Sequence, residues 1–113
     1  MANYDDLTHI LFAALEQAEH GKGKERHAGD RDFVDQPIMT IGRRYGIGFN
    51  LGQAEKKMQE ADGMLKRGEP AAFERELLGA VVYLASAVML VRERQSKGVG
   101  NDIRGSEADV PGV

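Results

Sequence analysis

Apolar side chains recur every three or four residues along three segments of the chain, which is the spacing of one face of an α-helix. The first predicted helix covers residues 3–20, with Asn3 as its N-cap and Gly21 as its stop signal. The second begins between residues 43 and 50 and ends at 67, and the third runs from 70 to about 95. These patterns predict a helical protein.

The connection between the second and third predicted helices is unusually short. Only Gly68 and Glu69 precede Pro70, which suits the first position of a helix. A linker of this length makes the two helices antiparallel neighbours. The predicted fold is therefore all-α, with a short N-terminal helix and a long antiparallel helical hairpin, assembling into a helical oligomer.

The segments outside this pattern show no helical period. Residues 21–42 are interrupted by glycine, alanine and proline, and we predict an ordered loop there with about one helical turn near Ile38. From Ser96 onward the chain is rich in glycine, which predicts a flexible tail. The sequence thus indicates a single helical domain over residues 1–95 and a tail over 96–113.

The third predicted helix is apolar on every side between Leu77 and Val91. A helix of this kind has to be covered all round, and two other helices in a small chain cannot cover it. Small residues such as Gly79 and Ala87 would let a neighbouring helix approach closely. The pattern therefore predicts self-association into a dimer-based homo-oligomer, a hexamer or a tetramer.

Composition narrows the possible functions of this chain. Its 113 residues carry 15 Lys and Arg against 18 Asp and Glu, a net charge of −3, which argues against a partner that is duplex nucleic acid. The absence of Cys excludes disulfides, thiol catalysis and zinc fingers. The longest apolar run, 77–91, is shorter than the roughly 20 residues of a membrane span. With no apolar leader visible, the expected location is the cytoplasm, away from membranes.

The first candidate site is a basic, glycine-containing segment that follows the first predicted helix. Open backbone amides and several cations within a few residues can surround phosphate oxygens. The alternative interpretation is a solvated loop, which is the usual role of a run of charges. The residues predicted to bind are Lys22, Lys24, Arg26 and His27.

The second candidate site is the glycine-rich stretch 42–52, which leads into the second predicted helix. Arg43 and Arg44 would make bidentate hydrogen bonds to phosphates, and Tyr45 or Phe49 would stack on a base. Asn50 would hydrogen-bond a base edge or cap the helix. The spacing matches neither a dinucleotide-binding fingerprint nor a P-loop. The alternative is that the glycines permit close helix packing while Phe49 fills the core.

The paired arginines carry a specific expectation. Arg43 and Arg44 are predicted to lie just before a helix start, where adjacent cations repel each other and gain little from the positive end of the helix dipole. A bound polyanion would reverse that cost. Replacing both by Ala is therefore expected to leave the melting temperature of the free protein unchanged or raised and to remove stabilisation by the ligand. The alternative is that the arginines are structural and pair with acids such as Asp32 or Asp35, in which case the variant would melt much lower.

Carboxylates raise the alternative of an enzyme. Small all-α pyrophosphohydrolases of the MazG type hold magnesium with paired acids on adjacent helices, and Glu55, Glu60 and Glu76 are the residues here that would do so. The interior of the third predicted helix holds no acid, so the second pair of such a site is missing. We accordingly expect no metal, no other cofactor and no catalytic residue.

The stretch 80–88, AVVYLASAV, resembles the last helix of the small bacteriophage anti-CBASS proteins. The phrases GKGKERHAGDRDF and GQAEKK also resemble those of uncharacterised phage open reading frames. The chain as a whole is similar to phage proteins that sequester signal nucleotides, including those acting against Thoeris. This resemblance implies a compact hexamer with pockets between protomers. It also implies that the ligand is a cyclic oligonucleotide or an ADP-ribose-type signal.

Three functions follow from these observations. The first is non-catalytic binding and sequestration of a nucleotide-derived phosphate ligand by a homo-oligomer. The second is magnesium-dependent hydrolysis of nucleoside triphosphates to release pyrophosphate. The third is a structural or host-protein-inhibiting phage factor, in which the apolar helix docks on its target and the arginines only increase solubility.

Overall fold

A computed structural model describes residues 2–21 and 31–97 of the chain. Within these ranges the protein has four α-helices, one 3-10 turn and no strand, which confirms the all-α class. The helices are α1 (Asp5–His20), α2 (Pro37–Tyr45), α3 (Ile47–Lys66) and α4 (Pro70–Lys97), and the 3-10 turn is Phe33–Asp35. None of these helices is both long and apolar enough to cross a bilayer.

The limits of three helices agree closely with the sequence pattern. The first helix begins two residues later than predicted, after Tyr4, although the Asn3 side chain still accepts the backbone N–H of Asp5 at 2.8 Å. α3 begins at Ile47, inside the predicted window, and ends one residue early. α4 continues to Lys97, so the predicted tail lies outside the described residues except for its first two positions.

The segment predicted as a loop is in part a helix, and this corrects the sequence interpretation. Pro37 occupies the first turn of α2, where its missing N–H costs nothing. One face of this short helix is apolar, and Met39 on that face is fully buried. Nine residues are too few for the periodic pattern to stand out, so the helix is stabilised mainly by tertiary packing.

Gly46 separates α2 from α3 and allows the chain to fold back. Its φ of +96° lies in the left-handed region, which L side chains rarely adopt. The reversal brings the carbonyl of Ile38 in α2 within 2.9 Å of the side-chain amide of Asn50 in α3. One glycine thus converts a continuous helical stretch into two packed helices.

The main packing contact lies between α3 and α4, which run in opposite directions. Asn50 near the start of α3 meets Ser86, whereas Lys57 farther along meets Glu76. Buried alanines from both helices bring their backbones close together. These are Ala54 and Ala61 on α3 and Ala80 and Ala87 on α4.

The first helix is held less tightly than the others. α1 packs on α4, where the Gln17 side chain donates to the carbonyl of Arg75 at 2.9 Å, and Ala14 is its one buried residue. Its large apolar side chains are about half exposed or more. They are Leu7, Ile10, Leu11, Phe12 and Leu15, and Tyr4 directly before the helix is exposed as well.

Candidate ligand-binding groove

A groove opens between α1, α4 and the segment that contains the 3-10 turn. Its volume is about 680 Å³, within the range of pockets that hold small molecules. Apolar side chains from both helices and Phe33 form its walls. The helical contributors are Leu11, Ala14, Leu15 and Ala18 from α1 and Val81, Val82, Ala85 and Met89 from α4.

Polar residues form the rim of this groove. His20 and Arg31 supply nitrogen donors, whereas Glu19 and Asp32 supply carboxylates. The Gln36 side chain, also on the rim, donates to the carbonyl of Arg31 at 3.0 Å and so fixes the course of the segment. The groove is therefore apolar inside and carries charges of both signs at its edge.

The basic segment predicted from the sequence is attached to this rim at both ends. Lys22, Lys24, Arg26 and His27 themselves lie outside the described residues. The chain leaves the described part after Gly21, directly behind His20, and returns at Arg31, and both His20 and Arg31 line the groove. The predicted basic segment therefore lies in the stretch of chain that connects two residues of the groove rim.

Arg43 holds the fold together through three hydrogen bonds. Its guanidinium donates to both carboxylate oxygens of Glu93 at 2.8 Å and to the carbonyl of Val34 at 2.7 Å. The hydrogen bond from Arg43 lowers the pKa of Glu93, and the same bond raises the pKa of Arg43. Arg43 therefore joins α2 to α4 and to the 3-10 turn.

This arrangement corrects the premise of the expectation for the arginine pair. Arg43 and Arg44 occupy the last turn of α2 and do not precede a helix as isolated cations. The helix dipole favours positive charge at that end, and Glu93 neutralises one of the two. Loss of Arg43 is therefore expected to destabilise the free protein.

Arg44 and Tyr45 lie at the surface, away from the groove walls. The guanidinium carbon of Arg44 is 6.0 Å from the ring centroid of Tyr45, the range of a cation–π contact. Tyr45 is 73% exposed, so its ring is accessible for stacking. The ligand contacts predicted for these two residues are sterically open, but their position is separate from the groove.

Phe49 and Asn50 serve the interior. Phe49 is half-buried and meets Tyr83 edge to face at 6.2 Å, which matches the core-filling alternative. Asn50 is fully buried and donates to the carbonyl of Ile38 and, at 2.7 Å, to the hydroxyl of Ser86. Its amide therefore neither caps α3 nor reaches a base, because it links α2, α3 and α4.

The buried polar pair was visible in the sequence but was not recognised there. Asn50 borders the apolar stripe of the second predicted helix, and Ser86 interrupts the apolar run of the third. In the structure the Ser86 hydroxyl in turn donates to the carbonyl of Tyr83, whereas the Oδ1 of Asn50 has no partner among the described residues. Two polar residues on opposing apolar faces are the signal that predicts such a contact.

The carboxylates considered for a magnesium site each have a local partner. Glu60 lies 3.9 Å from Lys56, Glu76 lies 3.6 Å from Lys57, and Glu55 accepts a hydrogen bond from the side chain one turn away. Across residues 2–21 and 31–97, no three His, Asp or Glu side chains are grouped closely enough to hold a metal ion.

Replacing Arg43 by Ala is expected to lower the melting temperature by several degrees at neutral pH, because three hydrogen bonds are lost. The pKa of Glu93 lies below its ordinary value of 4.5 in the folded protein, so the ion pair stabilises the fold above that pH. This stabilisation disappears as the pH falls through the lowered pKa. The difference between the melting temperatures of the two proteins should therefore shrink from about pH 7 to pH 3, and only the part due to the Val34 carbonyl should remain in acid.

Arg44→Ala is the matched control for this prediction, since Arg44 is exposed and adjacent in sequence. It should leave the melting temperature within about a degree, as expected for an exposed surface residue. Equal effects of the two substitutions at neutral pH would contradict the structural role of Arg43.

No protein-family model matches this chain, and comparison with curated proteins and with solved structures finds no significant match.

Proposed function

We propose that the protein binds a nucleotide-derived phosphate ligand, without chemical conversion, in the groove between α1 and α4. The observation that carries this proposal is the pairing of an apolar groove with a rim from which a basic segment leaves and to which it returns. Cyclic oligonucleotides and ADP-ribose-type molecules combine a flat base, hydroxyls and phosphates, and the groove offers a complementary surface for each.

The walls suit the base. A purine is flat and apolar on both faces. Apolar side chains such as Val82 and Met89 can cover those faces through van der Waals contact alone. Ala18 from α1 and Ala85 from α4 contribute only methyl groups to the walls and so leave more room for a ring than larger side chains would. Burial of the base would supply a favourable free energy that does not depend on salt.

The rim suits the sugar and the phosphates. The carboxylates of Glu19 and Asp32 can accept hydrogen bonds from ribose hydroxyls. Arg31 carries a guanidinium, the side-chain group that best matches the geometry of a phosphate. In this arrangement the walls hold the base, the rim carboxylates hold the sugar, and Lys22, Lys24 and Arg26 are predicted to contact the phosphates together with Arg31. Additional positive charge is needed there, because the two rim carboxylates, Glu19 and Asp32, outnumber the one arginine, Arg31.

Binding is favoured over hydrolysis by the positions of the acids. The three candidate ligands for magnesium, Glu55, Glu60 and Glu76, do not line the groove and are engaged with Gln59, Lys56 and Lys57. A magnesium-dependent enzyme needs several carboxylates that converge on one point beside the substrate phosphates. The proposed function therefore assigns no catalytic residue.

Release of a bound molecule on heating is the most direct test. The purified protein is denatured, and the supernatant is analysed by mass spectrometry for nucleotide-derived phosphates. In parallel, the protein is incubated with Mg²⁺ and nucleoside triphosphates. We expect an intact ligand, or thermal stabilisation by added cyclic dinucleotide or ADP-ribose, and no pyrophosphate. Pyrophosphate release would instead support the hydrolase.

A groove-filling substitution locates the site. Ala85→Phe places a ring where the ligand base is proposed to lie, on a residue that is exposed and so can accept the larger side chain. We expect it to abolish stabilisation by cyclic dinucleotide or ADP-ribose in thermal-shift assays. Ala71→Phe, on an exposed position of α4 outside the groove, is the matched control and should bind normally.

The charged contacts are tested separately. A Lys22→Ala, Lys24→Ala, Arg26→Ala triple variant should weaken binding of the same two probes by at least about tenfold, since each charge-assisted contact contributes roughly 1.5–3 kcal/mol. Arg44→Ala should bind like the wild type. The reverse result would move the site to the exposed surface at Arg44 and Tyr45 and contradict the groove.

A further inference from the structure

One side of α4 carries a row of apolar residues that the described part of the chain covers only in part. The row is Leu77, Val81, Leu84, Val88 and Val91, and its steps of four, three, four and three residues are those of a coiled-coil seam. Leu84 and Val88 at its centre are 44% and 53% exposed, and the other three are half-buried. We call this row the heptad row.

The remaining sides of α4 are occupied by the chain itself. Ser86 faces α3, Glu93 is paired with α2 through Arg43, and Arg75 accepts a hydrogen bond from α1. Among the described residues, the heptad row is thus the side of α4 left without a partner helix. An apolar helix that is covered on three sides requires something on the fourth.

The neighbouring helix extends the same surface. Leu51, Met58 and Leu65 follow one another at intervals of seven residues on α3 and are 45%, 46% and 52% exposed. Because α3 and α4 are antiparallel, these residues and the heptad row flank the buried alanine contact on the same side. Together they form a two-helix apolar surface, which is half of a four-helix arrangement.

Charges at the two ends of the heptad row identify the occupant. Glu74 and Arg92 are 18 residues apart, which is five helical turns, so they lie on one line of α4 at opposite ends of the row. Both are exposed, and within the described chain neither has an ion-pair partner. The α4 surface is therefore acidic at one end, apolar in the middle and basic at the other.

Such a surface is complementary to itself when turned end for end. In an antiparallel pair centred near Leu84, Glu74 of each copy lies opposite Arg92 of the other, and this contact occurs twice. In a parallel pair, each charge would lie opposite its own equivalent and repel it. A twofold axis makes the same patch serve both copies, as in most homodimers.

We propose that a second copy of this chain packs on the heptad row, with the two α4 helices antiparallel about a twofold axis near Leu84. This interface is separate from the ligand groove except at Val81, which borders both. The inference does not depend on the proposed function, and either can fail without the other.

The oligomeric state of the full chain tests the interface. Sedimentation velocity at about 10–100 µM should show a dimer or a multiple of it, and Leu84→Glu should shift it to monomer with helicity retained by circular dichroism. Phe12→Glu, which charges an exposed position on α1, is the control and should leave the dimer intact. A wild-type monomer at these concentrations would overturn the proposal.

Charge reversal tests the orientation without disturbing the apolar row. Glu74→Arg and Arg92→Glu should each raise the dimer dissociation constant by about tenfold, since two favourable pairs become two repulsive ones. The double variant should restore the wild-type value, because the exchanged charges are again opposite. Two single effects that simply add in the double variant would contradict the antiparallel pairing.

Cross-linking gives an independent answer because the chain has no native cysteine. Leu84→Cys should cross-link to its own equivalent with a short bis-maleimide, whereas Glu74→Cys should not, since its equivalent lies at the far end of the pair. Cross-linking at both positions would show a parallel pair. Cross-linking at neither would show that another molecule, or none, covers the row.

Discussion

Substitution of Asn50 by Asp is expected to destabilise the protein by at least about 3 kcal/mol at neutral pH, the largest effect that we anticipate. Asn50 is fully buried, and its amide nitrogen donates to the carbonyl of Ile38 and the hydroxyl of Ser86. Aspartate replaces this donor with a charged acceptor. Since the Ser86 proton is already donated to Tyr83, the carboxylate would face lone pairs without compensation.

The pH dependence of this variant provides a second readout. Burial raises the pKa of an unpaired carboxyl, because it disfavours the charged form. At a pH below its ordinary pKa, such a carboxyl is protonated in both the folded and the unfolded state and does not destabilise the fold through its charge. It destabilises the fold as the pH rises through the raised pKa. Urea unfolding of Asn50→Asp should therefore show a smaller defect at about pH 4 than at pH 7.

The control introduces the same charge on the exposed part of α3. Gln59→Glu adds a carboxylate at a solvent-exposed position, where it exchanges the hydrogen bond to Glu55 for repulsion one turn away, and should cost no more than about 1 kcal/mol of the free energy of unfolding. If Asn50→Asp were equally mild, the buried contact between α2, α3 and α4 would not exist as described.

Substitution of Gly42 by Ala is expected to cost about 1–3 kcal/mol, although alanine is the better helix former. Gly42 is buried in α2, and a methyl group there would overlap the Oδ1 of Asn50 and a methyl group of Leu90. Both neighbours belong to the interior and cannot move away freely. Relief of the overlap would separate α2 from α3 and α4.

The matched control is the same substitution at Gly52. This glycine lies within α3 and is exposed, and an added methyl group meets no atom within 4 Å. Gly52→Ala should stabilise the protein by about 0.5–1 kcal/mol, because it removes the entropic cost of glycine in a helix. Thermal or urea unfolding of the two variants should therefore give changes of opposite sign. A gain in stability at both positions would contradict the close packing at Gly42.

Sequence periodicity identified the long helices because each has enough turns to repeat its pattern. α1, α3 and α4 lie within two residues of their predicted limits. Of α2, only about one turn near Ile38 was predicted, because nine residues give only two and a half turns, and Pro37 and Gly42 within it are typical of loops. Its apolar face has meaning only against α3 and α4, which periodicity does not reveal.

The candidate site shows the same division. Composition and local charge identified the cations of residues 22–27, but the groove at which that segment begins and ends is built from helices far apart in sequence. Likewise, the sequence singled out Arg43 as a candidate phosphate contact. It did not indicate that Arg43 pairs with Glu93, which lies 50 residues away. No local pattern indicates which of many surface acids a given arginine will meet.

The sequence by itself determined the helical class, the long helices and the excess of apolar surface on α4, because these depend on spacing along one segment. The tertiary structure alone decided which polar residues are interior, as with Asn50 and Ser86, and which cations are neutralised. It also decided which side of α4 remains uncovered. These outcomes depend on the positions of elements distant in the chain, and such positions follow from packing and hydrogen-bond geometry that single-segment patterns do not encode.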